Sequence, residues 1–215
     1  MSRLRIGLLS LLVLGSTFAF AAYDQTWYQA NFWSGEYPNG FSIVKDGVSV
    51  PARASTDLDL PLDIQCSLPK KAVYHQWNAA RQADFRTYSK IIPMTANVDL
   101  EIGYTETAQV RAGDLIEYLI YGADGMFFVR YNGVEYEADQ ELLTKVTYDE
   151  KAMETPQDEW IGVTCLDGST AWIFMRDLYT VDRDGNTAWM SGVDSWFLGF
   201  RDYGSVTDLT DAELP

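Results

Sequence analysis

The sequence has 215 residues, of which 47% are hydrophobic and 14% aromatic, and it carries 31 acidic against 16 basic side chains. This composition supplies enough apolar material for a packed core and argues against a disordered chain. The formal net charge of −15 argues against a nucleic-acid partner and against anionic membrane surfaces, because binding to phosphate groups requires positive charge on the protein.

The first 21 residues have the layout of a secretory signal peptide. Arg3 and Arg5 precede an uncharged apolar run from Ile6 to Phe18, and Ala19-Phe20-Ala21 supplies small residues before a cut at Ala22. The apolar run is too short to span a bilayer. We therefore predict that residues 1–21 are removed and that the mature protein is exported, to the periplasm in a Gram-negative cell.

Export leaves about 194 residues with a more acidic balance. Because Arg3 and Arg5 are lost, 14 basic residues remain against 31 acidic ones, a charge of −17. Such acidity keeps an exported protein soluble, and it also suits a cationic protein partner that is attracted by the field. Both interpretations stay open on the sequence alone.

A β-rich N-terminal region is predicted for residues 22–105. Its first part, 22–39, contains many aromatic residues interrupted by Gly and Pro, which indicates irregular chain lying over a core. Pro61 makes the acid–leucine alternation of 57–63 an edge strand or a loop. Trp77 to Arg86 has helical character, with Asn78 as an N-cap. The predicted strands are 41–44, 47–50, 64–68, 72–74 and 91–102.

The C-terminal region, residues 106–215, has a clearer pattern of short strands and Gly turns. Asn132-Gly133 between two apolar runs is a strong hairpin signal, because both central residues of a type I′ turn need positive φ. A short helix is predicted for 139–146, and the acidic tail 204–215 is expected to be loosely held. The predicted strands are 107–110, 115–121, 126–131, 134–136, 159–165, 170–175, 179–181 and 186–190. The predicted fold is therefore all-β, a small barrel, or more than one, or a sandwich with short helical insertions.

The two cysteines, Cys66 and Cys165, predict a disulfide, because an even number of thiols in an oxidising compartment is normally paired. The bond would join the two halves of the mature chain. The alternative, a nucleophilic cysteine, needs a base, and His75 is the single histidine of the sequence.

The C-terminal half resembles the bacterial SH3-like (SH3b-type) domain. The resemblance rests on Gly113-Asp114, Trp160-Ile-Gly-Val163, Asp167-Gly168, Ala171-Trp172-Ile173 and Asp177-Leu178. It covers roughly residues 106 to 178, about a third of the chain. Ala171 stands where the family usually has Gly, and the distance from Asp114 to Trp160 is longer than usual. The resemblance implies a binding or scaffolding module of the cell envelope, with no fixed catalytic set.

Aromatic residues outside the clearest strands are the candidate binding residues. If they are exposed together, Trp27, Trp33, Trp189 and Trp196 form a sugar- or peptide-binding face; otherwise they fill the core. Trp160 and Trp172, by contrast, are predicted to be core residues and near neighbours across a hairpin. The acidic groups at 57–63 and 182–186 are interpreted as a loop and a turn, so no metal site and no cofactor are predicted.

Three functions follow as hypotheses. The first is an exported SH3-like module that binds a protein or a cell-wall glycan or peptide without catalysis. The second is an inhibitor or immunity protein against a basic secreted cell-wall enzyme, which the negative charge would suit. The third is a hydrolase that uses a pair of carboxylates.

Overall fold

The computed structural model describes residues 23–35, 39–75 and 84–197. The predicted signal peptide 1–21 and the tail 204–215 lie outside the described residues. The predicted helix Trp77 to Arg86 lies outside them up to residue 83. Its last three residues belong to a strand, since Asp84–Lys90 pairs with two neighbouring strands.

The described part of the chain is built from short strands, which confirms the all-β prediction. It contains one α-helix, α1 (Glu150–Met153), and 3₁₀ helices at Gln140–Thr144 and Met175–Leu178. The strands are β1 Trp27–Ala30, β2 Asn39–Ile43, β3 Ser49–Ala52, β4 Ile64–Ser67, β5 Val73–His75, β6 Asp84–Lys90, β7 Ile92–Ala96, β8 Leu100–Ile102, β9 Ala108–Val110, β10 Leu115–Tyr121, β11 Met126–Tyr131, β12 Val134–Asp139, β13 Val146–Tyr148, β14 Asp158–Thr164, β15 Thr170–Phe174, β16 Tyr179–Val181, β17 Thr187–Trp189 and β18 Val193–Phe197.

One compact set of strands, here called the inner unit, covers residues 92–148. Its five-stranded antiparallel sheet has the order β12-β11-β10-β7-β13. The β8–β9 hairpin lies between β7 and β10 in the sequence. The 3₁₀ helix Gln140–Thr144 precedes the last strand. Alternate residues of these strands face one apolar core, which includes Met94, Ile102, Val110, Ile116, Phe127, Val129 and Leu142.

The outer unit is formed by chain on both sides of the inner unit. It contains a sheet of order β1-β6-β14-β15, a sheet of order β18-β2-β5, and the hairpins β3–β4 and β16–β17. Its core combines early and late residues, including Phe41, Ile43, Val50, Leu68, Ile161, Ile173 and Leu178. The sheets are not closed into one barrel, and they do not follow a division at residue 105, because β7 pairs with β10 and β6 pairs with β14.

The N-terminal strand connects the two units. Ala30 is buried with Leu119 and Ile120 of β10, and Tyr28, Phe32, Ile91 and Phe128 pack around them. The amide of Gly35 donates to the carbonyl oxygen of Gly122 at 2.8 Å. The irregular segment predicted for 22–39 therefore contains a real strand, whose side chains form the apolar contact between the units.

The two parts of the SH3-like motif lie in different units. Gly113-Asp114 forms the turn before β10 of the inner unit, whereas Trp160 and Trp172 belong to β14 and β15 of the outer unit. The long spacing between Asp114 and Trp160 therefore contains most of the inner unit, β10 to β13, and it is not an insertion within one small barrel.

The Asn132-Gly133 hairpin forms as predicted. β11 and β12 pair from Tyr131↔Val134 to Met126↔Asp139, and the two turn residues have φ of 51° and 80°. The predicted short helix also exists as the 3₁₀ helix Gln140–Thr144. The side chain of Asp139 caps it by accepting a hydrogen bond from the amide of Glu141 at 2.8 Å.

The Cys66–Cys165 disulfide is confirmed. The two sulfur atoms are 2.04 Å apart, and both residues lie in the core of the outer unit. Cys66 is in β4 and Cys165 follows β14, so the bond joins the outer-unit segments that precede and follow the inner unit.

Replacing both cysteines by Ala should lower the free energy of unfolding. The bond closes a loop of 99 residues, for which the chain-entropy estimate is about 4.7 kcal/mol as an upper guide. Urea unfolding of the variant and of the reduced wild type measures the loss, and the variant should no longer respond to reductant. Two reactive thiols in the native, unreduced protein would contradict the assignment.

Trp160 is a core residue, but Trp172 is only partly buried. Trp160 has no exposed surface, and its indole nitrogen donates to the hydroxyl of Tyr23 at 2.8 Å. In the register of the hairpin, Trp160 lies opposite Phe174 and Trp172 lies opposite Gly162. The two tryptophans are thus diagonal neighbours, and the ring of Trp172 lies close over Gly162, 3.2 Å from where a β-carbon would be.

The two tryptophans should therefore differ in their contribution to stability. Trp160→Ala should lower the free energy of unfolding by about 3–5 kcal/mol, the usual cost of removing a buried aromatic side chain. Trp172→Ala should lower it by less, because part of its ring is already in water. Urea denaturation of both variants tests this, and equal losses would contradict the packing described.

Candidate functional site: an acidic groove beside Tyr104

The four tryptophans predicted to bind a ligand do not form one exposed face. Trp33 is only 2% exposed, so its prediction as an exposed binding residue is wrong. Its indole nitrogen donates to the carbonyl oxygen of Trp160 at 3.1 Å, and its ring packs edge-on against Phe85. The physical reason is that its large apolar ring is part of the core of the outer unit, where it is removed from water.

Two of the other three tryptophans are partly buried at different places in the outer unit. Trp27 is partly buried beneath Lys90, whose ammonium nitrogen is 4.2 Å from the ring centre. Trp189 is partly buried and packs against Tyr179, with ring centres 5.1 Å apart. Trp196 lies in β18, and its side chain lies outside the described residues. The described tryptophan side chains therefore do not form the single exposed sugar-binding face that the sequence suggested.

A groove lies instead on the inner unit, between the β8–β9 hairpin and the edge of β12. It consists of two adjoining pockets of about 210 and 300 Å³, and Tyr104 and Glu137 line both of them. The first pocket extends toward the 3₁₀ helix and is also lined by Leu100, Glu101, Ile102, Ala138, Asp139, Glu141, Leu142 and Lys145. The second is completed by Thr105, Glu106, Glu135 and Tyr136.

Tyr104 is presented at the tip of the β8–β9 hairpin. Its side chain is 54% exposed, and its hydroxyl donates to a carboxylate oxygen of Asp139 at 3.0 Å. Gly103 shapes this tip: its φ is 95°, and an added β-carbon would lie 1.9 Å from the carbonyl oxygen of Glu106. Desolvation first, and the hydrogen bond to Asp139 second, raise the pKa of Tyr104, so its hydroxyl stays a donor at neutral pH.

The groove is strongly negative. Six carboxylates line it, and the single cation among the lining residues is Lys145, which pairs with Glu141 at 2.7 Å. Glu106 and Glu137 accept no hydrogen bond from any other residue that the structure describes. The carboxylates are Glu101, Glu106, Glu135, Glu137, Asp139 and Glu141.

This arrangement suits a cationic ligand. An ammonium or guanidinium group gains charge-assisted hydrogen bonds from carboxylates and a cation–π contact from an exposed tyrosine ring. Within the described ranges, no three His, Cys, Asp or Glu side chains come together as a metal site requires. The carboxylates line both adjoining pockets, as they would for an extended ligand.

Sequence reasoning missed this groove, although part of its signal is visible. Every second residue of β12 is acidic, which places Glu135, Glu137 and Asp139 on one face of the strand. Glu101 is likewise on the polar face of the alternating segment 91–102. What the sequence does not show is that the β8–β9 hairpin lies beside β12, because that contact depends on the folded inner unit.

Two arginines of the outer unit form ion pairs with carboxylates. Arg53 pairs with Asp177, and Arg176 pairs with the buried Asp158. Tyr23 donates to Asp158 at 3.0 Å, and burial raises the pKa of Tyr23 to about 12. These two cations are thus engaged by carboxylates within the protein, and the hydrogen bonds of Tyr23 tie the N-terminal segment to the outer sheet.

Glu159 is the carboxyl group with the largest upward shift in pKa. Burial raises the pKa of Glu159 from 4.5 to about 7, and no carboxylate is among the causes. It lies on the same face of β14 as the buried Ile161 and Val163, so it faces the core of the outer unit and not an open cleft.

The Glu159→Gln substitution should stabilise the protein above pH 7. A raised pKa means that the protonated carboxyl favours the folded state below about pH 4.5, and that this contribution is lost as the pH rises through about 7. The gain at pH 8 should approach about 3 kcal/mol and vanish near pH 4.5.

Denaturant unfolding at both pH values measures this difference in stability between variant and wild type. Glu154→Gln, which removes an exposed carboxylate, is the matched control and should change little at either pH. A Glu159→Gln effect that does not depend on pH would contradict the assignment.

Comparisons of the chain with protein-family models, with curated proteins and with solved structures found no match. Of the helices in the described residues, none is both long enough and apolar enough to cross a bilayer. The functional conclusions below therefore rest on the geometry and charge of the groove.

Proposed function

We propose that the mature protein is an exported binding module of SH3-like type, which holds a basic segment of a partner protein in the groove beside Tyr104 without catalysis. The observation that carries this proposal is the composition of the groove: six carboxylates and an exposed tyrosine, against one lysine that is already paired.

Electrostatics favour such a partner at two ranges. The net charge of −15 attracts cationic proteins before contact, within about 8 Å at physiological salt. At contact, Glu106 and Glu137 can each accept hydrogen bonds from a lysine or arginine without giving up a bond to another described residue. The apolar stem of that side chain then packs on the ring of Tyr104.

The topology of the inner unit supports the SH3-like part of the proposal. The inner unit has a five-stranded antiparallel sheet, a hairpin after its first strand and a 3₁₀ helix before its last strand, which is consistent with a small β module of this type. The groove lies beside that first hairpin. This support comes from the order of the strands alone. The Trp160–Trp172 motif does not contribute to it, because both residues belong to the outer unit.

The proposal of export rests on the signal-peptide pattern of residues 1–21 and gains support from the buried disulfide. Disulfides persist in oxidising compartments such as the periplasm. An inhibitor of a basic secreted cell-wall enzyme is a special case of the same function, because its target would present basic residues to the same groove. A glycan ligand is less favoured, because Trp33, one of the tryptophans proposed to bind it, is buried. A hydrolase that uses a carboxylate pair is less favoured, because burial alone raises the pKa of Glu159 and no neighbouring carboxylate contributes.

A short peptide of alternating lysine and valine, three of each, should bind to the groove. Glu137→Lys should weaken binding about tenfold or more, because it places a like charge between the two pockets. Fluorescence anisotropy of the labelled peptide measures the dissociation constant, which should rise with salt concentration.

The matched control is Asp59→Lys, which makes the same change in net charge at an exposed position of the outer unit. This variant should keep most of the affinity. The proposal is contradicted if the lysine peptide does not bind, if a peptide of alternating glutamate and valine binds equally well, or if the two variants weaken binding alike.

A further inference from the structure

The edge of the inner sheet at β12 is open. In the sheet order β12-β11-β10-β7-β13, β12 is hydrogen-bonded to β11 and has no second neighbour among the described strands. The two-residue turn Asn132-Gly133 makes Tyr131↔Val134 a hydrogen-bonded pair. Hydrogen-bonded and non-hydrogen-bonded pairs alternate along an antiparallel ladder. The main-chain groups of Val134, Tyr136 and Ala138 therefore point to β11, whereas those of Glu135 and Glu137 point outward.

The outward main-chain groups of Glu135 and Glu137 have no partner among the described residues. No other described backbone or side chain bonds to the main chain of Glu135 or Glu137, and both residues are exposed. The carbonyl oxygen of Asp139, by contrast, accepts the first bond of the 3₁₀ helix Gln140–Thr144, for which Asp139 is the N-cap. The row of donors and acceptors at Glu135 and Glu137 borders both pockets of the groove. An open edge of this kind is a template for pairing with another extended chain.

We propose that the basic segment of the partner binds as an added β-strand along β12. Its main chain bonds to the outward groups of Glu135 and Glu137, and its basic side chains lie beside the carboxylates of Glu135, Glu137 and Asp139. This inference rests on the proposed function, and it specifies the conformation and sequence pattern of the ligand.

The spacing of the side chains defines that pattern. Residues two apart on a strand are about 6.6–6.8 Å apart on one face, so the acidic residues 135, 137 and 139 match basic residues at every second position of the added strand. Directly opposed, oppositely charged pairs are favourable. On the other face of β12, Val134 is 45% exposed and Tyr136 is partly exposed, which suits apolar residues at the intervening positions. The partner segment therefore alternates basic with apolar residues.

The same charges discriminate against self-association. Acidic residues on an edge strand oppose pairing with a second copy, because the carboxylates of the two β12 strands would meet. A strand with alternating basic residues replaces this repulsion by attraction. The edge therefore disfavours pairing with a second copy of this protein and favours pairing with a cationic strand.

The experiment uses the alternating lysine–valine peptide in three forms: unmodified, N-methylated at its lysines, and N-methylated at its valines. N-methylation removes amide donors but keeps the side chains and their charge. If the peptide adds as a strand, one modified form should bind at least tenfold more weakly and the other should bind nearly as the unmodified peptide does. The peptide that is N-methylated at its lysines should bind weakly if the added strand is antiparallel. The peptide that is N-methylated at its valines should bind weakly if the added strand is parallel.

Hydrogen exchange provides a second measurement on the intact protein. The unmodified peptide should slow exchange of the outward amides of Glu135 and Glu137 at least tenfold, whereas the amides of Val134 and Tyr136 are already bonded to β11 and serve as controls. Equal affinities of the two methylated forms, or no slowing at Glu135 and Glu137, would overturn strand addition and leave the proposed function standing. No binding of the unmodified peptide would overturn both.

Discussion

The antiparallel pairing of β6 with β14 is the constraint on which the rest of the architecture depends. It brings together the two strands that enclose the inner unit in the sequence, Asp84–Lys90 and Asp158–Thr164. Through this ladder the early strands of the outer unit share one core with the late ones, and the disulfide fixes the same closure covalently. The inner unit is thereby held at both its ends, and β1 packs against it from the outer sheet.

This architecture separates two electrostatic environments. The outer unit uses Arg53 and Arg176 to neutralise Asp177 and the buried Asp158, so that these carboxylates serve stability. The groove of the inner unit contains six carboxylates and no cation other than the paired Lys145. An excess of one charge at an open strand edge has an electrostatic cost for the free protein, and a cationic ligand would relieve it.

Local patterns predicted local structure well. Asn132-Gly133 specifies its hairpin because the turn needs positive φ, and Cys66 and Cys165 were the only possible pair. The organisation of the chain was not predictable in this way. The SH3-like motif combined Gly113-Asp114 with Trp160, although the two lie in different units. The pairing of β6 with β14 that separates these units has no signal in the spacing of the sequence. Likewise, aromatic character identified Trp33 as a binding residue, whereas its burial depends on Phe85, more than fifty positions away. The groove was missed since its two walls meet only in the fold.

The central claim is that the groove beside Tyr104 is where a basic segment binds, and NMR titration of the isotope-labelled protein with the lysine–valine peptide tests it most directly. The account predicts saturable chemical-shift changes concentrated at the residues that line the groove, above all Tyr104, Glu106, Glu135 and Glu137, with little change around Trp27 and Lys90 of the outer sheet. Changes that are centred on the outer sheet, or scattered over the acidic surface without saturation, would contradict it.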